Sequence, residues 1–138
     1  MSTLNFKSWF LTALLIGAGY ASVGILFALP TEHTRAWRLA AWLVSGVAYV
    51  LHLAFESFRR RNAPLLAALH VSFAVALGAF GLAIGANIHS LTVAGGREHQ
   101  KLLLIALAAW PLLTAVPAFL IGLFVSGFLS RLRAEPKQ

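Results

Sequence analysis

Residues 63–88 have the sequence APLLAALHVSFAVALGAFGLAIGANI, a nearly continuous apolar stretch in which His70 is the only ionisable side chain. A helix of about 20 apolar residues is long enough to cross the hydrocarbon core of a bilayer. Three further stretches have a similar character, at residues 9–29, 36–58 and 102–130. The sequence therefore predicts an all-α membrane protein, a four-transmembrane-helix bundle that forms a single integral membrane domain over residues 1–138.

The composition of the chain agrees with a lipid environment. Of its 138 residues, 59% are hydrophobic and 11% are charged, whereas soluble domains have about 45–50% apolar and about 25% charged residues. The chain has no cysteine, which excludes disulfides, thiolate metal sites and cysteine nucleophiles. We expect the lipid bilayer to be its main partner.

The distribution of basic residues predicts the orientation in the membrane and argues against nucleic-acid binding. The net charge is +7, but the cations lie in the tails or beside the gaps between apolar stretches, as in membrane proteins generally. One side of the predicted bundle holds seven: Lys7, Arg59, Arg60, Arg61, Arg131, Arg133 and Lys137. The other side holds four: Arg35, Arg38, Arg97 and Lys101. Because positive residues stay cytoplasmic, we expect a multi-pass protein of the bacterial inner cell membrane with cytoplasmic N- and C-termini.

The two halves of the chain resemble each other. The sequence EHTR at 32–35 precedes the second apolar stretch, and EHQK at 98–101 precedes the fourth. The sequence LAAW follows at 39–42 and again at 107–110. Internal symmetry of this kind predicts two tandem helical hairpins of the same orientation.

Small residues recur at helical spacing in the first and third stretches. Lipid offers apolar side chains no reason to face one another, so small and polar residues mark the contacts between transmembrane helices. Two stripes have the same spacing of 4, 3 and 4: Gly17, Ala21, Gly24 and Ala28, and Ala74, Gly78, Gly81 and Gly85. We expect both stripes to pack inside the molecule, and a homodimer seam is the alternative.

A polar stripe runs along the second stretch. Ser45, Tyr49, His52 and Glu56 share one helix face, and His70 lies on the small-residue side of the next helix. The short loop at 59–62 makes these helices antiparallel neighbours, so the sequence predicts a polar intramembrane cluster of Tyr49, His52, Glu56 and His70.

This cluster has three interpretations. In the structural one, Glu56 pairs with Arg60 and the histidines stay neutral. In the second, the cluster relays protons or ions, because histidine titrates near neutrality. In the third, His52 and His70 ligate one b-type haem. A metal ion would find only three ligands here and no motif spacing, so the sequence assigns no metal, no cofactor and no catalytic residue.

A second group of polar residues lies on the opposite side of the predicted bundle. Its members form a possible external-side ligand cluster: Glu32, His33, His89, Glu98 and His99. The simpler interpretation is that these are solvated loop residues, with acids placed at helix N-termini.

The sequence carries no catalytic motif. It has no P-loop, no G-x-S-x-G, no HExxH and no G-x-G-x-x-G. We therefore expect a small multi-pass membrane protein that is a non-enzymatic accessory or interaction subunit, acting as a homo-oligomer or with a membrane protein partner. The alternatives are a small oligomeric transporter or ion- or proton-conducting protein, and a membrane redox subunit with one b-type haem.

Overall fold

The computed structural model describes residues 3–92 and 100–134, and this part of the chain forms four long helices. They are α1 (Thr3–Leu26), α2 (Thr34–Ala54), α3 (Pro64–Thr92) and α4 (Gln100–Ala134). A π-helical turn, Phe55–Arg59, extends α2. All four helices are long and apolar enough to cross a membrane, so the predicted all-α four-helix membrane bundle is confirmed.

Helix α1 begins six residues before the predicted first stretch and ends three residues before its predicted end. At its C-terminus, the backbone N–H groups of Ala28 and Leu29 bond to carbonyls three residues earlier, at 3.1 and 3.3 Å. These bonds close a turn immediately before Pro30. Since a residue that precedes proline is disfavoured in helical conformation, the helix stops here.

Helix α3 lies at the centre of the bundle, and α2 lies at its rim. α3 packs mainly on α4 and α1, whereas α2 has few contacts with any other helix. The buried residues of α2 are His52 and Leu53, both near its C-terminus. Leu53 packs with Ala67 and Val71 of α3 in a small apolar core. The bundle thus holds α2 chiefly by its last turns.

The small-residue stripes of α1 and α3 pack against each other. A Cβ atom built on Gly17 would lie 2.7 Å from Cβ of Leu77, and one built on Gly78 would lie 2.5 Å from Cβ of Tyr20. Such distances are too short for real Cβ atoms, so glycine is required for this approach of the two backbones. The expected packing holds for the middle of both stripes. It does not extend to Gly85, which has nothing within 4 Å of its Cβ position.

The two predicted hairpins pack differently. α3 and α4 are in close contact along their lengths, whereas α1 and α2 barely touch. Polar anchors join α3 to α4 at both ends. The Asn87 amide donates to the Leu103 carbonyl at 2.8 Å, and the Ser126 hydroxyl, which also bonds to the Gly122 carbonyl of its own helix, lies 3.0 Å from the Pro64 carbonyl oxygen. Glu98 and His99 lie outside the described residues, so their correspondence with Glu32 and His33 stays a prediction.

Candidate buried polar site

The π-helical turn at the end of α2 positions the site. The Arg60 backbone N–H bonds to the Phe55 carbonyl at 3.1 Å, and the Asn62 N–H bonds to the Glu56 carbonyl at 3.2 Å. Arg61 has a φ of 52°, a left-handed conformation that reverses the chain direction within one residue. α3 then begins at Pro64. This tight connection brings the last turns of α2 beside the first turns of α3.

Glu56 is the centre of the site and is fully buried. Three nitrogens face its Oε1 atom: Nδ1 of His70 at 2.8 Å, Nη1 of Arg60 at 3.5 Å and Nε2 of His52 at 3.8 Å. Its Oε2 atom accepts a hydrogen bond from Nδ2 of Asn62 at 2.5 Å. A buried carboxylate is tolerated only when it is paired and hydrogen-bonded, and these neighbours supply both conditions.

His70 is held on two sides by α1. Its Nε2 atom lies 2.9 Å from the Trp9 carbonyl oxygen, and the Trp9 ring stacks on the imidazole at a centroid distance of 4.8 Å. A carbonyl oxygen only accepts, so Nε2 carries the hydrogen and donates it. The Nδ1 atom is therefore the ring nitrogen that faces Glu56.

His52 is buried without a hydrogen bond. It is 5% exposed, and its ring meets the His70 ring edge to face at a centroid distance of 5.1 Å. Neither of its ring nitrogens has a hydrogen-bond partner among residues 3–92 and 100–134. Buried polar groups in native proteins nearly always have a partner, so His52 stands out in this site.

Arg60 connects the site to α1 and to the surface. Its Nη2 atom donates to the Thr12 hydroxyl at 3.0 Å, and its guanidinium lies 5.6 Å from the centre of the Phe55 ring. Its side chain is 26% exposed, whereas that of Glu56 is fully buried. The site thus joins α1, α2 and α3, and Arg60 links its buried centre to the surface.

Tyr49 lies on the same face of α2 but points to a different helix. Its hydroxyl donates to the Ala118 carbonyl of α4 at 2.6 Å. The structure therefore brings His52, Glu56 and His70 together and places Tyr49 as a separate contact between α2 and α4. Ser45, one turn further from the site, is only partly buried.

The residues of the predicted external-side cluster do not assemble in the described part of the chain. Glu32, His33 and His89 are exposed, and Glu98 and His99 lie outside the described residues. Among residues 3–92 and 100–134, the only group of three clustered potential metal ligands is His52, Glu56 and His70, whose ligand atoms lie within 4.8 Å of one another.

Sequence reasoning missed Trp9, Thr12 and Asn62. The sequence offered a reason to include Asn62 in the site, since it is the one uncharged polar residue beside the three arginines at 59–61. It offered none for Thr12 or the Trp9 carbonyl, because the rotation of α1 about its axis depends on how it packs against α3. Thr12 also bonds to its own helix, at the Ser8 carbonyl, as threonine in a transmembrane helix commonly does.

The geometry does not suit a bis-histidine haem. A haem iron between two imidazoles requires a flat slot between the rings for the porphyrin. Here the rings are in edge-to-face contact, the Glu56 carboxylate lies against both, and Trp9 covers His70. The site therefore has no room for a macrocycle.

The chain matches no protein-family model, no curated protein and no solved structure.

Proposed function

We propose that the protein is a non-enzymatic accessory subunit of the bacterial inner membrane, with both termini in the cytoplasm, that binds a transmembrane helix of another membrane protein through α2. The observation that carries this proposal is a notch at Gly46 on the outward face of α2. The notch is lined by residues of α2 alone: Trp42, Leu43, Gly46, Val47, Val50 and Leu51.

The notch has the shape that helix association in lipid requires. Nothing lies within 4 Å of a Cβ position at Gly46, and the large side chains one turn away on either side, Trp42 and Val50, are 78% and 63% exposed. Exposed apolar residues are ordinary in a bilayer, but a glycine between them lets a second backbone approach closely. This arrangement supports a helix-binding face.

Polar contacts anchor the C-terminal half of α2 to the bundle. The Tyr49 hydroxyl bonds to α4, and His52 and Glu56 contact α3. The exposed residues around Gly46 are therefore free to contact a partner. A peripheral helix that is anchored by polar contacts and open on its outer side suits an interaction subunit.

A second copy of the chain is the other candidate occupant of the notch, as the predicted homo-oligomer would require. The alternative function, a transporter or ion-conducting protein, would use the buried site as its ion site. Glu56 and His70 are 0% exposed in this structure. A closed site can hold an ion but does not conduct one, so the interaction role is the stronger proposal.

The absence of cysteine makes single-cysteine crosslinking a clean test. Val50→Cys is labelled with a photoactivatable maleimide in native membranes, and the adducts are identified by mass spectrometry. We expect one defined adduct with another membrane protein. In the double variant that combines Val50→Cys with Gly46→Leu, the leucine should fill the notch and abolish this adduct. Gly19→Leu is the matched control, because Gly19 is also exposed and has nothing within 4 Å of its Cβ position.

An adduct of twice the mass of the chain would show that a second copy of the chain, and not another protein, occupies the notch. An adduct that is unchanged by Gly46→Leu, or its absence in all variants, would contradict a role for the notch.

A further inference from the structure

We propose that His52, Glu56 and His70 form a binding site for one divalent transition-metal ion, for which Zn²⁺ is the appropriate probe. This inference is independent of the proposed role of α2. It concerns buried residues at the C-terminal end of that helix and would stand if the notch at Gly46 bound nothing.

The donor set identifies the class of ion. Two imidazole nitrogens and one carboxylate oxygen form a three-ligand set that Zn²⁺ uses, with an open fourth position. Imidazole suits first-row transition metals, whereas Ca²⁺ and Mg²⁺ prefer oxygen ligands throughout. The three side chains come from two neighbouring helices that a short loop holds together, so the set is assembled by the fold.

The orientation of His70 is that of a metal ligand. A metal-bound histidine typically donates its other ring N–H to a backbone carbonyl or a carboxylate. The Nε2 atom of His70 does so to the Trp9 carbonyl. Nδ1 then faces Oε1 of Glu56, 2.8 Å away. Two such atoms approach this closely when a proton or a cation lies between them, and a metal ion would take the place of the proton.

His52 supplies the independent sign of a missing ligand. It is 5% exposed, and both of its ring nitrogens lack a hydrogen-bond partner among the described residues. Its Nε2 atom lies 3.8 Å from the same Glu56 oxygen that faces His70. A metal ion at this point would give the His52 nitrogen the partner that a buried polar atom requires.

The distances are close to those of a bound ion. With bonds of 2.0–2.1 Å, adjacent ligands of a tetrahedral Zn²⁺ lie about 3.3 Å apart. The two contacts to Oε1, at 2.8 and 3.8 Å, lie on either side of that value. All three ligand atoms lie within 4.8 Å of one another, so side-chain rotations that shorten the longest separation would complete the set.

Arg60 is the group that opposes a cation here, since its guanidinium lies 3.5 Å from Oε1 of Glu56. Its side chain is 26% exposed and already bonds to the Thr12 hydroxyl. It can therefore leave Glu56 and keep a partner. We infer that Arg60 neutralises Glu56 when no metal is bound and is displaced when metal enters. Replacing it with a neutral residue should consequently strengthen metal binding.

The test uses the full chain, purified in detergent and stripped of metal with a chelator. Titration with Co²⁺ should produce visible ligand-field bands at one ion per chain, and Zn²⁺ should displace them. His52→Gln should weaken binding at least about tenfold, the lower range for disturbed metal sites. Arg60→Gln should instead tighten it. His89→Gln, which changes an exposed histidine near the C-terminus of α3, is the matched control and should leave binding unchanged.

Metal-free circular dichroism and thermal unfolding report whether each variant folds. If His52→Gln does not fold, Co²⁺ binding by Arg60→Gln tests the proposal instead. Tighter binding than in the wild-type protein supports the site, and unchanged or weaker binding overturns it. Absence of Co²⁺ bands in the wild-type protein, their persistence in folded His52→Gln, or their loss in His89→Gln would each overturn the proposal.

Discussion

The Nδ1 atom of His70 lies 2.8 Å from the Oε1 atom of Glu56, and both side chains are 0% exposed. This contact joins the end of α2 to α3. The Trp9 carbonyl, on the other side of the His70 ring, extends the connection to α1. Three helices that otherwise present mainly apolar surfaces are therefore joined by one polar site, and its energetics can be measured residue by residue.

Loss of the Glu56 carboxylate should strongly destabilise the bundle. Glu56→Leu leaves His70, Arg60 and Asn62 without their shared partner, and breaking a buried ion pair from one side costs about 3–5 kcal/mol. Glu56→Gln should cost less, because an amide still accepts and donates hydrogen bonds. Thermal unfolding of the metal-free protein in detergent measures both. Glu32→Gln, at an exposed position, is the control, and a fully stable Glu56→Leu would show that the site contributes nothing to stability.

Removal of the Tyr49 hydroxyl should loosen α2 from α4. The hydroxyl donates to the Ala118 carbonyl at 2.6 Å, and interhelical hydrogen bonds in membranes contribute about 0.6 kcal/mol on average and up to about 1.7. We expect Tyr49→Phe to lower the free energy of unfolding within that range. Tyr20→Phe provides the matched comparison. The Tyr20 hydroxyl is buried without a hydrogen-bond partner among the described residues, so its removal should be neutral or stabilising. Equal losses in both variants would argue against the Tyr49 contact.

Two glycines in α1, two residues apart, should respond oppositely to a methyl group. Gly17→Ala places a Cβ atom 2.7 Å from Leu77 and 3.0 Å from the Ala74 carbonyl oxygen, and overpacking of this kind costs about 1–3 kcal/mol. Gly19→Ala meets nothing within 4 Å, and the higher helix propensity of alanine favours it. Comparison of the two unfolding temperatures in detergent distinguishes the steric effect of a methyl group at Gly17 from the general effect of replacing glycine with alanine. If Gly17→Ala were as stable as Gly19→Ala, the close approach of α1 to α3 would be wrong.

The predicted orientation can be tested with reporter fusions. A reporter that follows Gln138 should be active in the cytoplasm, and one inserted within 93–98 should report the opposite side, because the more basic end of the bundle stays inside. The two fusions are expressed separately in the same strain, so that a difference in signal reports the side of the membrane. A cytoplasmic signal from the insertion at 93–98 would reverse the orientation.

Much of the site was predictable from the sequence because helix geometry determines depth in a membrane. Glu56, His52 and His70 lie within a few turns of the basic loop at 59–62, and a rise of 1.5 Å per residue places them at similar depth. The shared face of His52 and Glu56 followed from the spacing of the polar stripe, and the inward position of His70 followed from the small-residue stripe of the next helix. The spacing did not predict that α1 also contributes to the site. Nothing in the first apolar stretch indicated that the Trp9 carbonyl and Thr12 would reach it.

The sequence by itself determined the number of helices, their approximate extent, and the glycines in the middle of α1 and α3 that allow a close approach. These properties depend on hydrophobic length and on the absence of side chains at glycine, both of which are local. Only the tertiary structure decided that α3 is central and that α2 lies at the rim, held by its last turns. In water, the apolar face of a helix predicts its inner side. In lipid both faces are apolar, so the rotation and position of each helix follow from packing and a few buried polar contacts, which arise only when the helices are assembled.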